Sequence, residues 1–331
     1  MKKMIFERIR TRTASKVLVL TAIAVFAASC EKAENDFFTS APEPSDNITQ
    51  ILASYGEPEY YSEVDFKRGE SAPPTFSTLS VALAHTGLTG IVSSNRLTLF
   101  APTDEAFAKL GLDKKNISSV PNLREILLYH VIEGLVYSNQ LSNDYVMTLN
   151  SSYVKVNTTG GVMINNSAVV QADIKARNGV IHMIDNILLP PDKNIVETAV
   201  SLAPEFSILL EAASRAGLAD ILANGGPFTL FAPTNEAFVN LLGELGAGSL
   251  DDIPVDLLTQ VLLYHVVDGY VFSTDLENGE VTSLNGKFSV SLQYPVEITD
   301  SKGRTAEIVP SLLDVQTTNG VIHVINRVIL P

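Results

Sequence analysis

Apolar residues along the chain change their spacing in the same order twice. They first recur at the three- and four-residue intervals of helices, and then fall into short β-branched and aromatic runs between turn residues. The helical stretches are residues 80–91 and 123–132, then 209–222 and 257–267; the strand-like runs start near 146 and near 281. Helices followed by a meander of strands predict an α+β fold with a largely antiparallel sheet, built twice.

A ten-residue stretch marks the duplication. Thr98 to Phe107 recurs almost letter for letter as Thr229 to Phe238, 131 residues later. Each copy predicts a strand that leads into a helix, because Thr-Leu-Phe favours strands and the residue before a proline is extended. Thr103 and Thr234 are then placed to cap the helix that follows. The stretch predicts a structural corner rather than a reaction centre.

Two further blocks repeat in the same order. Leu127 to Gly134 matches Leu262 to Gly269, and Asn178 to Pro190 matches Asn319 to Pro331. Together with the Phe-Ala-Pro-Thr stretch, these Tyr-His and Gly-Val-Ile-His blocks resemble the fasciclin (FAS1) domain. The resemblance covers nearly the whole chain after about residue 47. It implies two tandem domains, each a twisted, wedge-like β-sandwich flanked by helices.

The matched landmarks predict the domain boundaries. Asn47-Ile48 and Asn194-Ile195 start corresponding helices, which gives domain 1 at 47–190, a short linker at 191–193 and domain 2 at 194–331. A change of offset shows that domain 1 carries about 17 extra residues, within 57–75. This insertion is either a plain surface loop or a recognition element, and its aromatic residues are Tyr60, Tyr61 and Phe66.

The N-terminus has the layout of a secretory leader. Six basic residues precede or begin an apolar run from Val17 to Ala28, which is too short to span a bilayer comfortably. The run leads through Ser29 to Cys30, the only cysteine of the chain, and resembles a bacterial lipobox. We therefore expect a signal peptide at 1–29, lipidation of Cys30 and a flexible acidic tether at 30–46. A standard signal peptide with an incidental cysteine is the alternative.

Charge restricts the partners that we expect. The sequence has 23 basic and 37 acidic residues, and without residues 1–29 its net charge is −19. A surface of that charge argues against nucleic acid as a partner. One cysteine cannot form an internal disulfide, so each domain has to be stable through its hydrophobic core alone.

Four of the five histidines fall at matched places. They are His130 with His265 and His182 with His323. Their apolar neighbourhoods and the lack of a third ligand at a recognisable spacing favour neutral, hydrogen-bonded core imidazoles over a metal or haem site. We expect no metal and no cofactor.

The sequence offers no evident catalytic group. It has no Gly-x-Ser-x-Gly elbow and no glycine-rich phosphate loop after a strand. We therefore expect a protein that is not an enzyme.

The resemblance does carry a binding hypothesis. The Tyr-His region of animal fasciclin proteins has been linked to receptor binding, and Tyr129, His130, Tyr264 and His265 match the motif. Their apolar helix equally favours a role in bracing the fold. With Tyr60, Tyr61 and Phe66 of the insertion they are the candidate binding residues.

These observations predict a non-enzymatic, lipid-anchored binding or adhesion protein of the cell envelope. Its partner would be an envelope or cell-surface protein or a glycan. The location would be the outer membrane, facing either outward or the periplasm. The alternative is an accessory surface lipoprotein that captures a glycan or peptide for an outer-membrane uptake system.

Overall fold

A computed structural model describes residues 44–55 and 74–331. Pro44–Pro331 forms one compact unit, which contains both repeats. The predictions about the signal peptide, Cys30, Tyr60, Tyr61 and Phe66 lie outside the described residues. Within the described part of the chain, no helix is long and apolar enough to cross a membrane.

Repeat 1 begins with helices and ends with strands. Its helices are α1 (Ile48–Ser54), α2 (Ser77–His85), α3 (Thr89–Ser94), α4 (Asp104–Ala108) and α5 (Leu123–Tyr129). Its strands are β1 (Leu97–Pro102), β2 (Val131–Glu133), β3 (Asp144–Met147), β4 (Tyr153–Asn157), β5 (Met163–Ile164), β6 (Ser167–Ala176) and β7 (Gly179–Ile184).

Repeat 2 follows the same order with a longer fourth helix. Its helices are α6 (Ile195–Ser201), α7 (Ser207–Arg215), α8 (Ala219–Asn224), α9 (Asn235–Leu245) and α10 (Val255–Tyr264). Its strands are β8 (Phe228–Pro233), β9 (Val266–Asp268), β10 (Gly279–Ser283), β11 (Gly286–Ser291), β12 (Glu297–Thr299), β13 (Thr305–Glu307), β14 (Val315–Thr317) and β15 (Gly320–Ile325).

The sheets are mixed, with one parallel pair at the centre of each repeat. In repeat 1 the seven strands lie in the order β2-β1-β7-β6-β5-β4-β3, and only β1 and β7 run parallel. Repeat 2 divides into the sheets β14-β15-β8-β9 and β10-β11-β12-β13, with β8 and β15 parallel. The prediction of an α+β fold with a largely antiparallel sheet is confirmed.

The last strand of each repeat, β7 or β15, is apolar except for one histidine because both of its faces are buried. All six residues of β7 and all six of β15 are buried. In each repeat one apolar cluster fills the space between the helices and the sheet, and a second lies on the other side of the sheet. A strand between two apolar layers cannot alternate polar and apolar residues.

The Phe-Ala-Pro-Thr corner has the predicted geometry. The Thr103 hydroxyl accepts from the Ala106 amide, 3.2 Å away, and Thr234 does the same with Ala237. The residue after each threonine caps a second helix. The Asp104 carboxylate accepts from the Ser77 and Thr78 amides at the start of α2, and Asn235 accepts from the Ile208 amide at the start of α7. One short stretch thus fixes two helix N-termini.

An asparagine joins three elements in each repeat, and it is buried in repeat 1 and half-buried in repeat 2. The Asn178 side chain accepts from the Ile48 amide at 3.0 Å and donates to the Val92 and Asn95 carbonyls, each at 2.8 Å. Asn319 makes the corresponding bonds to the Ile195 amide and to the Leu222 and Gly225 carbonyls. The Asn-Gly dipeptides at Asn178 and Asn319 favour tight turns, and the hairpins β6–β7 and β14–β15 turn at them. The additional role in tying helices to the sheet was not predicted.

The structure differs from the predicted elements in two places. The helices predicted over 123–132 and 257–267 end at Tyr129 and Tyr264, because the following residues pair as strands with β1 and β8. Gly134 and Gly269 therefore end those strands, not the helices. Within the stretches 80–91 and 209–222, the first helix ends just before Gly87 and Gly217, whose φ values of +69° and +67° are those that glycine favours at a helix stop. The long strand β6 was not predicted.

Candidate interaction surfaces

The Tyr-His motif lies in the core of both repeats. Tyr129 is 2 % exposed and His130 is 0 % exposed, and Tyr264 and His265 are equally buried. The Tyr129 hydroxyl donates to the Tyr153 carbonyl, 2.7 Å away, and accepts from the Asn165 amide group. The Tyr264 hydroxyl donates to the Lys287 carbonyl. Each tyrosine therefore connects the end of a helix to the strand meander.

The histidine of the motif connects the same helix end to the last segment of its repeat. His130 Nδ1 lies 2.7 Å from the Ile126 carbonyl, so it carries the proton, and Nε2 accepts from the Leu188 amide at 2.9 Å. Burial lowers the pKa of His130 to about 4, although the Ile126 carbonyl opposes the shift. His265 bonds to Val261 and Ile329 in the same way, and burial lowers its pKa to about 4. Both imidazoles are neutral at pH 7.

This burial favours the bracing role of the motif over direct contact with a partner. A side chain that bonds on both ring nitrogens inside the core has no group left to present at the surface. The proposal that Tyr129, His130, Tyr264 and His265 bind a partner stays a prediction, and it requires the repeat to open.

A serine, an aspartate and a histidine meet in each repeat, which sequence reasoning missed. Ser138 donates its amide and its hydroxyl to the Asp173 carboxylate, and the Asp173 amide donates to His182 Nδ1 at 3.3 Å. His182 Nε2 donates to the Val136 carbonyl, 2.8 Å away. Burial lowers the pKa of His182. For Asp173, burial alone raises the pKa, but the bonds from Ser138 outweigh it and the net pKa is lowered.

These residue types also form hydrolase triads, but the geometry differs. In a triad the serine hydroxyl donates to the imidazole, which accepts its proton. Here the hydroxyl bonds to the aspartate, and the backbone occupies both imidazole nitrogens. The cluster of Ser273, Asp314 and His323 has the same connections. The arrangement supports the prediction of a buried, neutral imidazole in β7 and β15.

The two repeats meet through four aromatic rings. Tyr145 of β3 stacks on Phe272, with ring centroids 3.9 Å apart and planes 7° from parallel. Tyr153 of β4 packs edge-on against Phe272 at 5.1 Å and against Tyr270 at 5.2 Å. At the edge of this contact, the Thr274 hydroxyl donates to Asp144, 3.1 Å away. Aromatic contacts of this kind contribute beyond the area that they bury.

Acidic groups surround the aromatic contact. Burial and the neighbouring Asp314 carboxylate, with which the Tyr145 hydroxyl is hydrogen-bonded, raise the pKa of Tyr145 well above its ordinary value. Burial, together with the charges of Asp144 and Asp314, raises the pKa of Asp275. Among the described residues, no group of three or more His, Cys, Asp and Glu side chains is arranged to hold a metal ion. The contact is therefore an aromatic interface with hydrogen-bonded edges.

The sequence contains one indication of this interface, which is a difference between the two repeats at a matched position. The repeats match as Gly134-Leu-Val-Tyr-Ser and Gly269-Tyr-Val-Phe-Ser, so Tyr270 is an aromatic residue where repeat 1 has leucine. A surface residue that breaks an internal repeat is a candidate for contact between the copies. The pairing with Tyr145 and Tyr153 required the structure.

The chain is thus a duplicated α+β domain pair with no catalytic constellation among residues 44–55 and 74–331. The family model for the Fasciclin domain matches it twice, at residues 74–190 and 204–331. The protein belongs to the fasciclin domain family and carries two tandem copies of that domain. Fasciclin domains occur in cell-adhesion proteins, and such proteins are in general not enzymes.

Relatives include both animal and cyanobacterial proteins. Human periostin is 29 % identical over 260 residues, 77 % of this chain and 30 % of periostin. The transforming growth factor-beta-induced protein ig-h3 of Sus scrofa is 31 % identical over 247 residues, which cover 71 % of this chain and 34 % of that protein. Protein sll1483 of Synechocystis sp. is 40 % identical over 141 residues, 41 % of this chain and 73 % of that protein. The chain thus spans about a third of the animal relatives.

A solved structure of a FAS1 domain pair, from the insect cell adhesion molecule Fasciclin I, is also similar. The match has a TM-score of 0.38 at 22 % identity and covers 77 % of this chain and 96 % of the other.

Proposed function

We propose that the protein is a non-enzymatic binding or adhesion protein of the cell envelope, anchored through a lipid on Cys30 and acting through its two fasciclin domains. The observation that carries the proposal is the pair of fasciclin domains, and an N-terminal stretch that resembles a secretory leader and leads to the only cysteine supports the anchor. The partner is a protein or glycan at the surface of a cell or within the envelope.

Two features of the described residues support a binding role. The polar clusters that carry catalytic residue types use their hydrogen bonds on the backbone, which leaves no nucleophile next to a free base. The aromatic contact between the repeats holds them together through Tyr145 and Phe272. A pair of coupled domains presents its surfaces to a partner in a defined orientation, which lowers the entropy lost on binding.

The anchor is tested by substitution of the cysteine. In cells fed an alkyne-tagged fatty acid, the natural protein should be labelled and should fractionate with membranes. The Cys30→Ser variant should lose the label and be released into the soluble envelope fraction or the medium. A Ser40→Ala variant, in the tether outside the lipobox-like motif, is the matched control and should remain labelled. Absence of label on the natural protein would refute the lipid anchor.

The binding role is tested on intact cells. Protease added outside should remove the protein if it faces outward, and a strain that lacks the gene should then adhere less to a protein- or glycan-coated surface. Complementation with the natural gene should restore adhesion. Unchanged adhesion of the deletion strain, with the protein shown at the surface, would contradict the adhesion role.

The same strains test nutrient capture, the alternative role. Removal of residues 57–73 takes out Tyr60, Tyr61 and Phe66 but retains Thr75, whose hydroxyl donates to Asp104 in the corner of repeat 1. If the insertion captures a glycan or peptide, this variant should fold and lose uptake while adhesion is kept. Full uptake by the shortened protein would assign the insertion to a surface loop.

A further inference from the structure

The contact between the repeats uses two different surfaces, and each repeat carries both of them. Repeat 1 contributes Tyr145 and Tyr153 of β3 and β4, which we name its strand-pair face. Repeat 2 contributes Tyr270, Phe272 and Asp314, which we name its loop face. A contact of this head-to-tail kind leaves one surface of each type unused.

The unused loop face belongs to repeat 1, and matched hydrogen bonds identify it. The Val136 and Val271 carbonyls accept from His182 and His323. Ser138 bonds to Asp173 as Ser273 bonds to Asp314. Leu135, Tyr137 and Asp173 therefore correspond to Tyr270, Phe272 and Asp314.

Exposure distinguishes the occupied surface from the unused one. Phe272 is 2 % exposed and Asp314 is 8 % exposed beneath repeat 1, whereas Tyr137 and Asp173 are half-buried. Tyr137, Gln140, Asp173 and Lys175 line an open groove of about 440 Å³. Ser138 holds the Asp173 carboxylate by two hydrogen bonds, so it is fixed in place as an acceptor, as Asp314 is for the Tyr145 hydroxyl.

We propose that the loop face of repeat 1 is a docking surface for a partner protein that presents two tyrosine rings on adjacent antiparallel strands, as repeat 1 presents Tyr145 and Tyr153 to repeat 2. One ring stacks on Tyr137, and its hydroxyl donates to Asp173. The proposal deepens the proposed function, since it names the surface and the chemistry of a protein partner. It rests on the proposed function only for the place where the protein meets this partner, which is the cell envelope or the cell surface.

The strand-pair face of repeat 2 shows why a second copy of this chain is not the occupant. The Tyr264 hydroxyl bonds to the Lys287 carbonyl as the Tyr129 hydroxyl bonds to the Tyr153 carbonyl, so Lys287 stands in the place of Tyr153. In the same register Glu280 stands in the place of Tyr145. Glu280 and Lys287 form an exposed ion pair at 2.8 Å instead of two stacked rings. A head-to-tail copy would therefore bring no aromatic ring to stack on Tyr137.

The test restores the missing rings on a probe made from this chain. The probe carries Glu280→Tyr and Lys287→Tyr, which give its repeat 2 an aromatic strand-pair face, and Tyr137→Ala, which removes its own loop face. The binding target is the protein without substitutions. Linkage of two modules supplies a concentration of about 1 mM, so mixtures should be measured up to about that value by sedimentation velocity. Circular dichroism confirms that each protein is folded.

We expect a 1:1 complex of probe and target. Tyr137→Ala in the target should weaken it by about tenfold or more, the usual loss for an aromatic anchor. Tyr137→Phe, which copies Phe272, should retain it. An independent target variant, Asn139→Arg, fills the groove from an exposed position and should also abolish binding.

Three results would overturn the proposal. They are the absence of a complex between folded proteins at about 1 mM, a complex that neither target variant weakens, and self-association of the natural protein that Tyr137→Ala removes. This assay uses purified proteins and does not depend on adhesion. If the probe and target form their complex but cells show no adhesion, that result counts against the proposed function alone.

Discussion

The strongest single prediction concerns Asp104, because the two repeats differ at this one position of their shared Ala-Pro-Thr-x-Glu-Ala-Phe stretch. Asp104 accepts from the Thr75 hydroxyl, from the Ser77 hydroxyl and amide, and from the Thr78 amide. Burial alone would raise the pKa of its carboxyl, but these bonds outweigh burial and lower the pKa below 3.8. Asn235 has an amide in the same place.

Asp104→Asn keeps one bond and loses others. The new amide oxygen can accept from Thr78, as Asn235 accepts from Ile208, but its NH₂ group cannot accept from the Ser77 amide. Bonds to charged groups contribute about 1.5–3 kcal/mol, and loss of a helix cap costs about 1 kcal/mol. Because water reaches this half-buried site, we expect a loss of about 1–2 kcal/mol in the free energy of unfolding at pH 7.

Urea unfolding followed by circular dichroism measures this loss, and its pH dependence identifies the cause. The lowered pKa means that the charge stabilises the folded state fully above the pKa of the unfolded carboxyl, about 3.9, and that this contribution is lost as the pH falls through the folded value. The difference between natural protein and variant should therefore be constant from about pH 7 to about pH 5 and shrink below about pH 4. A difference that persists unchanged at low pH would refute the reasoning.

The reverse substitution in repeat 2 is the matched control. The backbone amide of Asn235 donates to the Glu205 carbonyl at 2.9 Å, and its side-chain NH₂ donates to the Pro204 carbonyl at 2.6 Å. Asn235→Asp removes that donor and places a second negative charge near Glu205, so it should also destabilise. Adding Glu205→Thr, which copies Thr75, should recover part of the loss. If Asn235→Asp leaves the free energy of unfolding unchanged, the two sites are interchangeable, which would contradict their different hydrogen bonds.

Three further predictions follow from the core and from the contact between the repeats. Acidification from pH 6.5 to about pH 4 should destabilise the protein, because the unfolded state binds protons that the buried, neutral His130 and His265 exclude. The free energy of unfolding should fall by roughly 3 kcal/mol for each histidine. Urea denaturation at several pH values measures this fall, and a stability that does not change over this range would contradict the prediction. Asn178→Ala removes the hydrogen-bond partner of the Ile48 amide and of two carbonyls, so the free energy of unfolding should fall by about 3 kcal/mol or more. Thermal or urea unfolding measures this loss, and a loss below about 1 kcal/mol would contradict the structural role of Asn178. Phe272→Ala should separate the unfolding of the two repeats into two transitions, because it removes the ring on which Tyr145 and Tyr153 pack. Tyr137→Ala, at the corresponding position of repeat 1, should leave a single transition. A single transition in both variants would show that the rings do not couple the repeats.

The sequence by itself determined the duplication, the helix-then-strand order of each repeat and the corner at Thr98 and Thr229. It also determined that His182 and His323 are neutral and buried. These features are local or periodic: a threonine just before a helix can cap it, and a strand between two apolar layers lacks the alternation of polar and apolar residues. The motif that resembled a binding element, Tyr129-His130, followed the same apolar periodicity, and its side chains lie in the core.

The tertiary structure decided what depends on residues far apart in the chain. The helix ending at Tyr129 is shorter than its periodicity predicts, because Val131 to Glu133 gain partners in β1 that exist only in the folded sheet. Asn178 reads as a turn residue, but its bonds reach helices that lie more than 80 positions earlier in the chain. The pairing of Tyr145 with Phe272 across 127 positions has no local signature. Only the folded chain shows that one loop face is covered and its counterpart, around Tyr137, is open.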